Sequence, residues 1–141
     1  MHIIFSTKNR ASLIDESIES ELYKYLAGIC NKLDCPPIKI GGYDDHVHVL
    51  CYLSKTIALS DFLEDLKKNS SKWIKTKAKK YASFYWQDGY AAFSVSQSVI
   101  EKTKEYISRQ REHHSKISFK DELISFLKKN GIEYDERYLW H

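Results

Sequence analysis

His46-Val47-His48, inside Tyr43-Asp44-Asp45-His46-Val47-His48-Val49-Leu50, are the residues of this chain best suited to chemistry. A β-strand sends residues i and i+2 to the same face, so two imidazoles leave one sheet surface side by side. Each can give one nitrogen to a divalent metal and leave positions for a third protein ligand, water and an oxygen-rich substrate. Taken alone, the pair also fits half-exposed strand histidines with ordinary hydrogen bonds. Tyr106-Ile107-Ser108-Arg109-Gln110 adds a second element. Tyr106 and Gln110 are spaced i, i+4 in a helix-like run that begins at Val99, so they share a helix face. Gln110 can offer a carbonyl oxygen to a metal, and Tyr106 a phenolic oxygen as the nucleophile of a covalent intermediate. Two imidazoles, one amide oxygen and one phenol suit metal-assisted phosphoryl transfer, in which a cation polarises the phosphate and the phenol attacks in line.

Neighbouring residues extend this set. His113 and His114 follow Tyr106 on the same side of the helix, where they can reach DNA phosphate or the metal shell, or simply pack at a helix end. Asp44 and Asp45 precede the histidines and can orient an imidazole nitrogen. Arg109 and Arg111 flank Gln110 and can touch the backbone of a bound strand.

The chain resembles the single-tyrosine HUH transposases of small bacterial insertion sequences and their repeat-associated relatives. The resemblance rests on His46-Val47-His48 and on Tyr106 with Gln110. It extends to Phe5-Ser6-Thr7-Lys8-Asn9-Arg10, to Trp86-Gln87-Asp88-Gly89-Tyr90 before Phe93-Ser94-Val95-Ser96, and to Gly131-Ile132-Glu133-Tyr134-Asp135-Glu136-Arg137-Tyr138-Leu139-Trp140. These segments span nearly the whole chain in the family's order, although the first strand is shorter than the family leads one to expect. The resemblance implies Tyr106 as nucleophile, with His46, His48 and Gln110 as metal ligands. It also implies an obligate homodimer whose composite sites take histidines from one subunit and tyrosine from the other.

Length and composition allow one domain over residues 1–141, with 43% hydrophobic and 13% aromatic residues enough for one well-buried core. No apolar run is long enough for a membrane span, and Met1 leads directly into a strand-like segment, so a cytoplasmic protein is expected. Cys30, Cys35 and Cys51 match neither a zinc nor a redox spacing and are expected to be reduced thiols, with Cys51 in the core.

The net charge of +3 is unevenly spread. Residues 1–65 carry 6 basic and 10 acidic groups, residues 66–116 carry 12 and 4, and residues 117–141 carry 4 and 5. The stretch from Leu66 to Lys80 holds seven lysines and no acid, which suits a polyanion. Lys67, Lys68, Lys72 and Lys75, with Arg109, are the expected DNA contacts. Lysines at helical spacing also describe a solvated helix face. Trp73 is expected to pack with Ile74 and Leu66, with stacking on an unpaired base as the alternative.

The elements that must position these groups follow a β-α-β-β-α-β order. Ile3 to Ser6 reads as a strand, and Asp15 to Leu33 as a helix with Ile18, Leu22, Tyr25, Leu26 and Ile29 on one face. Pro36-Pro37 ends that helix before the strand Ile38-Lys39-Ile40, and Gly41-Gly42 is expected to break the chain before a histidine strand ending near Leu53. A second helix is expected from a Ser60 cap. A hairpin of Tyr85-Trp86-Gln87 with Ala91 to Val95, turning at Asp88-Gly89, closes the sheet. Ser96 or Ser98 caps the tyrosine helix. Phe119 to Lys129 forms a last helix with Phe119, Leu123, Phe126 and Leu127 inward, ended by Asn130-Gly131. The order predicts an α+β fold of the ferredoxin-like (RRM-like) type, an antiparallel sheet with helices on one face plus C-terminal helices. The other sheet face is expected to meet nucleic acid.

The function these readings support is a DNA transposase that cleaves and rejoins single strands at hairpin-forming element ends through a 5′-phosphotyrosine. Attack by a phenol exchanges one phosphodiester for another, so a 3′-hydroxyl can reverse the step without ATP. Two nitrogens, an amide oxygen, a phosphate oxygen and waters suit Mg²⁺ or Mn²⁺, with imidazole favouring manganese. The alternative from another class is a non-catalytic module that binds single-stranded nucleic acid. A third reading is a domesticated, repeat-associated transposase that keeps the chemistry.

Overall fold

The computed structural model describes residues 1–114 and 116–132. Strands β1 (His2–Ser6), β2 (Pro37–Tyr43), β3 (His46–Cys51) and β4 (Ala91–Phe93) form an antiparallel sheet in the order β2-β3-β1-β4. Helix α1 (Glu16–Lys32) joins β1 to β2, and α2 (Leu59–Lys75) joins β3 to β4. This is the expected ferredoxin-like arrangement. The short β1 lies in the middle, paired with β3 along its whole length and with β4 from His2 to Ile4.

Strand alternation divides the sheet into two faces. Ile3 and Phe5 of β1, with Val47, Val49 and Cys51 of β3, point to the layer made by α1 and α2. There they meet Ile18, Leu22, Leu26 and Cys30 of α1 and Phe62, Leu63, Leu66 and Ile74 of α2. Each large side chain buried here contributes roughly 1.5–3 kcal/mol. Asp15 caps α1 by accepting a hydrogen bond from the Ile18 N–H at 3.2 Å. Trp73 lies half-buried against this core, stacked on Tyr25 with ring centroids 4.8 Å apart. The three cysteines are buried free thiols, and burial pushes Cys30 up to about 12.

The opposite face is covered, not open. Helices α3 (Ile100–Ser108), α4 (Gln110–His114) and α5 (Phe119–Lys129) lie over the histidine side of the sheet. The expectation of a bare face meeting nucleic acid is therefore corrected. The physical reason is the apolar stripe of α5: Phe119, Leu123 and Leu127 bury themselves against Ile4 and Phe93 in a second cluster. Left bare, both surfaces would expose a large apolar patch.

Several local expectations also change. β2 runs through Gly41 and Gly42 without a break. At Gly41 a Cβ would stand 2.7 Å from the Ile107 carbonyl oxygen, so this glycine lets α3 approach the strand backbone. The hairpin of residues 85–87 with 91–95 does not form. β4 pairs with β1, and Trp86 makes only a lone bridge to Thr7. The indole is drawn inward against Phe5 and Phe84 and donates to Ser70 Oγ at 2.9 Å. Helix α2 starts at Leu59, one residue before Ser60. A 3₁₀ turn at Gln97–Val99 leads into α3, and Ser96 and Ser98 bond to each other in place of capping it. The last helix spans Phe119–Lys129 as expected, capped by Ser118 and followed by Gly131 at φ 66°. Part of the expected Gly131–Trp140 signature, residues 133–140, lies outside the described residues. Among the described residues, no helix is long and apolar enough to cross a membrane.

Candidate metal and nucleophile site

His46 and His48 leave β3 on the α3–α5 side, and both are fully buried. The turn Asp44-Asp45 immediately precedes the strand, which brings the Asp45 carboxylate to 2.7 Å from His46 Nδ1. Asp45 accepts that N–H, so Nε2 of His46 faces the site. His48 is held in the same way from below: its Nδ1 lies 2.8 Å from Nε2 of His2, which is buried at the start of β1.

The Tyr106 and Gln110 side chains come from two short helices, not one. α3 ends at Ser108 and α4 begins at Gln110, with Arg109 (φ −103°, ψ 19°) between them. Gln110 is buried, and its Oε1 lies 3.0 Å from His46 Nε2. Its amide nitrogen donates to Glu122 Oε2 at 3.2 Å. The Tyr106 hydroxyl also donates to Glu122 Oε2, and the phenol ring stands edge-on to His48 with centroids 5.9 Å apart. All four expected residues therefore meet within one chain.

Two further side chains sit among them. Glu122 of α5 is buried, with Oε1 at 3.1 Å from His48 Nε2 and 3.4 Å from His46 Nε2. His114 of α4 has a side chain only 2% exposed, and its Nε2 is 3.2 Å from Glu122 Oε2. One donor atom from each of His46, His48, His114 and Glu122 lies within 4.8 Å of every other.

The charges follow from this packing. Burial disfavours a charged His46, yet its hydrogen bonds to Asp45 and Glu122 outweigh burial and hold its pKa up at about 9. At His48 burial prevails over Glu122 and lowers the pKa to about 4; at His2 burial and the neighbouring His48 lower it to about 3. Burial raises the Glu122 pKa, but hydrogen bonds from His114, His46 and His48 override it and keep this carboxyl far below the usual range. For Tyr106, burial and then the negative Glu122 hold the phenol above its ordinary value. At neutral pH the arrangement is an anionic Glu122 between imidazoles, facing a protonated phenol.

These residues fit a divalent cation. His114 gives its Nδ1–H to the Ile117 carbonyl at 2.7 Å, which turns its Nε2 toward Glu122 Oε2 at 3.2 Å. At His46, with Nδ1–H committed to Asp45, a neutral ring would set a lone pair against the Gln110 and Glu122 oxygens. A second proton or a cation resolves that conflict.

A family model described as Transposase IS200 like matches residues 1–110. The chain belongs to this transposase family. No curated protein sequence matches it. Among solved structures, it resembles a protein designated a transposase from Deinococcus radiodurans R1. The TM-score is 0.60 at 22% identity, over 77% of this chain and 88% of that one. It also resembles the REP-associated tyrosine transposase bound to a REP hairpin, with a TM-score of 0.58 at 13% identity, over 82% of this chain and 68% of that one. At these identities the two structures bear on the fold.

The lysine helix of this transposase lies on the other side of the sheet from the histidines. Lys68 and Lys72 are exposed there. Lys67 is turned inward: its ammonium donates to the Gln87 carbonyl at 2.9 Å and to that of Gly89, with burial lowering its pKa. Lys75 donates to Ser71 Oγ at 3.0 Å and lies 3.9 Å over the Tyr85 ring centroid. Arg109 is exposed beside Tyr106 and pairs with Glu105 at 2.9 Å. Arg111 is committed within the fold to Glu19 at 2.8 Å and Asp44 at 2.9 Å, which pins α4 to α1 and the β2–β3 turn.

Sequence reading overlooked Glu122 and His2. Glu122 carried a usable signal: it falls between Phe119, Leu123 and Phe126, an acid within the apolar stripe of α5. A carboxylate buried on such a face needs partners. His2 carried no comparable signal.

Proposed function

We propose that this transposase cleaves and rejoins single-stranded DNA at hairpin-forming element ends, with Tyr106 as nucleophile and His46, His48 and Gln110 as ligands of Mg²⁺ or Mn²⁺. The observation that carries the reading is the meeting of the Tyr106 hydroxyl with the His46–Gln110 pair and His48 around one buried carboxylate. A divalent cation held by these side chains would supply Lewis-acid polarisation of the scissile phosphate.

The protein's own groups supply the rest. The Tyr106 oxygen bonds to phosphorus, the bond to the 3′-oxygen breaks, and the products are a 5′-phosphotyrosine and a 3′-hydroxyl that takes up a proton. The Tyr106 hydroxyl donates to Glu122, which orients the phenol, and the proton it sheds on attack is matched by the one the 3′-oxygen takes up. A cavity of about 640 Å³ runs along this wall, with Tyr106, His113 and Glu122 inside and Lys102 and Lys129 among its lining. It offers a DNA phosphate an approach bordered by cations. Lys68, Lys72 and Arg109 provide exposed positive charge for the remaining strand, whereas Lys67 and Lys75 act through the loops they hold. The REP hairpin bound by one structural neighbour supports hairpin DNA as the partner class.

Incubation with labelled single-stranded DNA and Mn²⁺ should give a covalent band that survives denaturation. Tyr106→Phe should remove the band and leave binding nearly intact; a persisting adduct would move the nucleophile elsewhere. His46→Ala or EDTA should stop cleavage without unfolding the protein, and cleavage in EDTA would refute the metal. The proposal includes a homodimer with composite sites, and complementation tests it. A mixture of Tyr106→Phe and His46→Ala chains should recover activity when histidines and tyrosine come from different subunits. No recovery would mean that each chain works with the cis arrangement described above.

A further inference from the structure

We propose that His114 and Glu122 complete a four-ligand site, three imidazoles and a carboxylate, that holds a borderline transition ion such as Mn²⁺, Co²⁺ or Zn²⁺ in preference to Mg²⁺ before any DNA is bound. The inference rests on the histidine part of the metal reading above, sets His114 and Glu122 in place of Gln110 while DNA is absent, and adds the class of ion. Both residues lie beyond Gln110, the last residue that the family model matches.

Three observations carry it. First, every imidazole has its Nδ1 engaged away from the centre: His46 by Asp45 at 2.7 Å, His48 by His2 at 2.8 Å and His114 by the Ile117 carbonyl at 2.7 Å. Fixing one ring nitrogen orients the other as a ligand, the usual support of metal-bound histidine. Second, one donor atom from each of His46, His48, His114 and Glu122 already lies within 4.8 Å of every other. Donors about 2.0–2.2 Å from one ion need only a small contraction of this cluster. Third, the surroundings suit an ion poorly replaced by water: His46 and His48 are fully buried, and the Glu122 and His114 side chains are 1% and 2% exposed. Within that enclosure the His114 Nε2 faces Glu122 Oε2 at 3.2 Å. Water-retaining, oxygen-seeking Mg²⁺ gains little from three imidazoles, whereas Mn²⁺, Co²⁺ and Zn²⁺ accept them.

The test uses the full chain without DNA. Co²⁺ binding is followed by its visible absorption and by competition with a chelator, with circular dichroism as the check on folding. His114→Asn and Glu122→Gln should each weaken Co²⁺ binding by about tenfold or more, and Glu64→Gln on exposed α2 should leave it unchanged. An equal concentration of Mg²⁺ should leave the Co²⁺ spectrum as it was. X-ray absorption of the wild-type Zn²⁺ protein should fit three imidazoles, a measurement independent of whether any variant folds. Normal binding by both variants with loss only in His46→Ala, a two-imidazole fit, or displacement by equal Mg²⁺ would overturn this inference and leave the proposed reaction standing. Normal binding by His46→Ala as well would remove the metal role from both.

Discussion

β3 presents Val47, Val49 and Cys51 to one helical layer and His46 and His48 to another, and the two layers are held in different ways. On the α1–α2 side, apart from the Trp86–Ser70 hydrogen bond, apolar side chains interlock without directional bonds, so each is replaceable by another of similar volume. On the α3–α5 side, buried polar groups depend on named partners: Glu122 on three histidines, Gln110 and Tyr106, and His48 on His2. Deleting one member there leaves another buried and unmatched, which costs more than the lost bond itself. The same sheet thus separates stability from chemistry by strand alternation alone.

Damage to the apolar side should cost stability and spare the chemistry. Phe62 is fully buried between α2 and the sheet, and Phe62→Ala should cost about 3–5 kcal/mol in urea unfolding. Adduct yield per folded molecule should stay the same. A folded Phe62→Ala protein without adduct would show that the two sides are not separable.

Gly41→Val probes the polar side through the backbone. Its Cβ would meet the Ile107 carbonyl oxygen at 2.7 Å, forcing α3 away from β2 at a cost of about 1–3 kcal/mol. A displacement near 1 Å at the Tyr106 hydroxyl should lower the rate of adduct formation by up to about 100-fold. An unchanged rate would mean that α3 does not position the phenol.

The histidines give the polar side a pH signature that the apolar side lacks. His48 and His2 titrate at about 4 and 3 in the fold, below their ordinary 6.5. Their neutral forms contribute stability that is complete above pH 6.5 and is lost as pH falls toward 4 and 3. His46, raised to about 9, contributes stability that is complete below pH 6.5 and lost as pH rises toward 9. Urea midpoints of the metal-free protein should therefore peak near pH 6.5, and His2→Phe should flatten the acid limb. A midpoint that keeps rising to pH 9 would contradict the His46 assignment.

The smallest effect belongs to the lysine helix. Lys68→Ala and Lys72→Ala should change stability by no more than about 0.5 kcal/mol. Each should reduce the salt slope of DNA binding by about one, measured as affinity against ionic strength. Unchanged slopes would leave this side of the molecule purely structural.

The amino-acid sequence by itself determined the relations that lie within one element. Period-two alternation put His46 and His48 on one face of β3, the apolar stripe of α5 was readable residue by residue, and the β-α-β-β-α-β order gave the sheet. Even the pairing of Tyr106 with Gln110 was visible as a spacing, although the helix is interrupted at Arg109 between them. Tertiary structure alone decided which buried groups converge. The spacing of His114 relates it to Tyr106 on one helix face, but nothing relates His2 and Glu122 to each other or to the site, because their meeting depends on how α5 docks over the sheet. Gly41 makes the same point: as a sequence signal it suggested a break, and packing turned it into the place where α3 comes close. Local backbone geometry sets where a side chain points along its own strand or helix, whereas burial of apolar surface elsewhere sets what it faces.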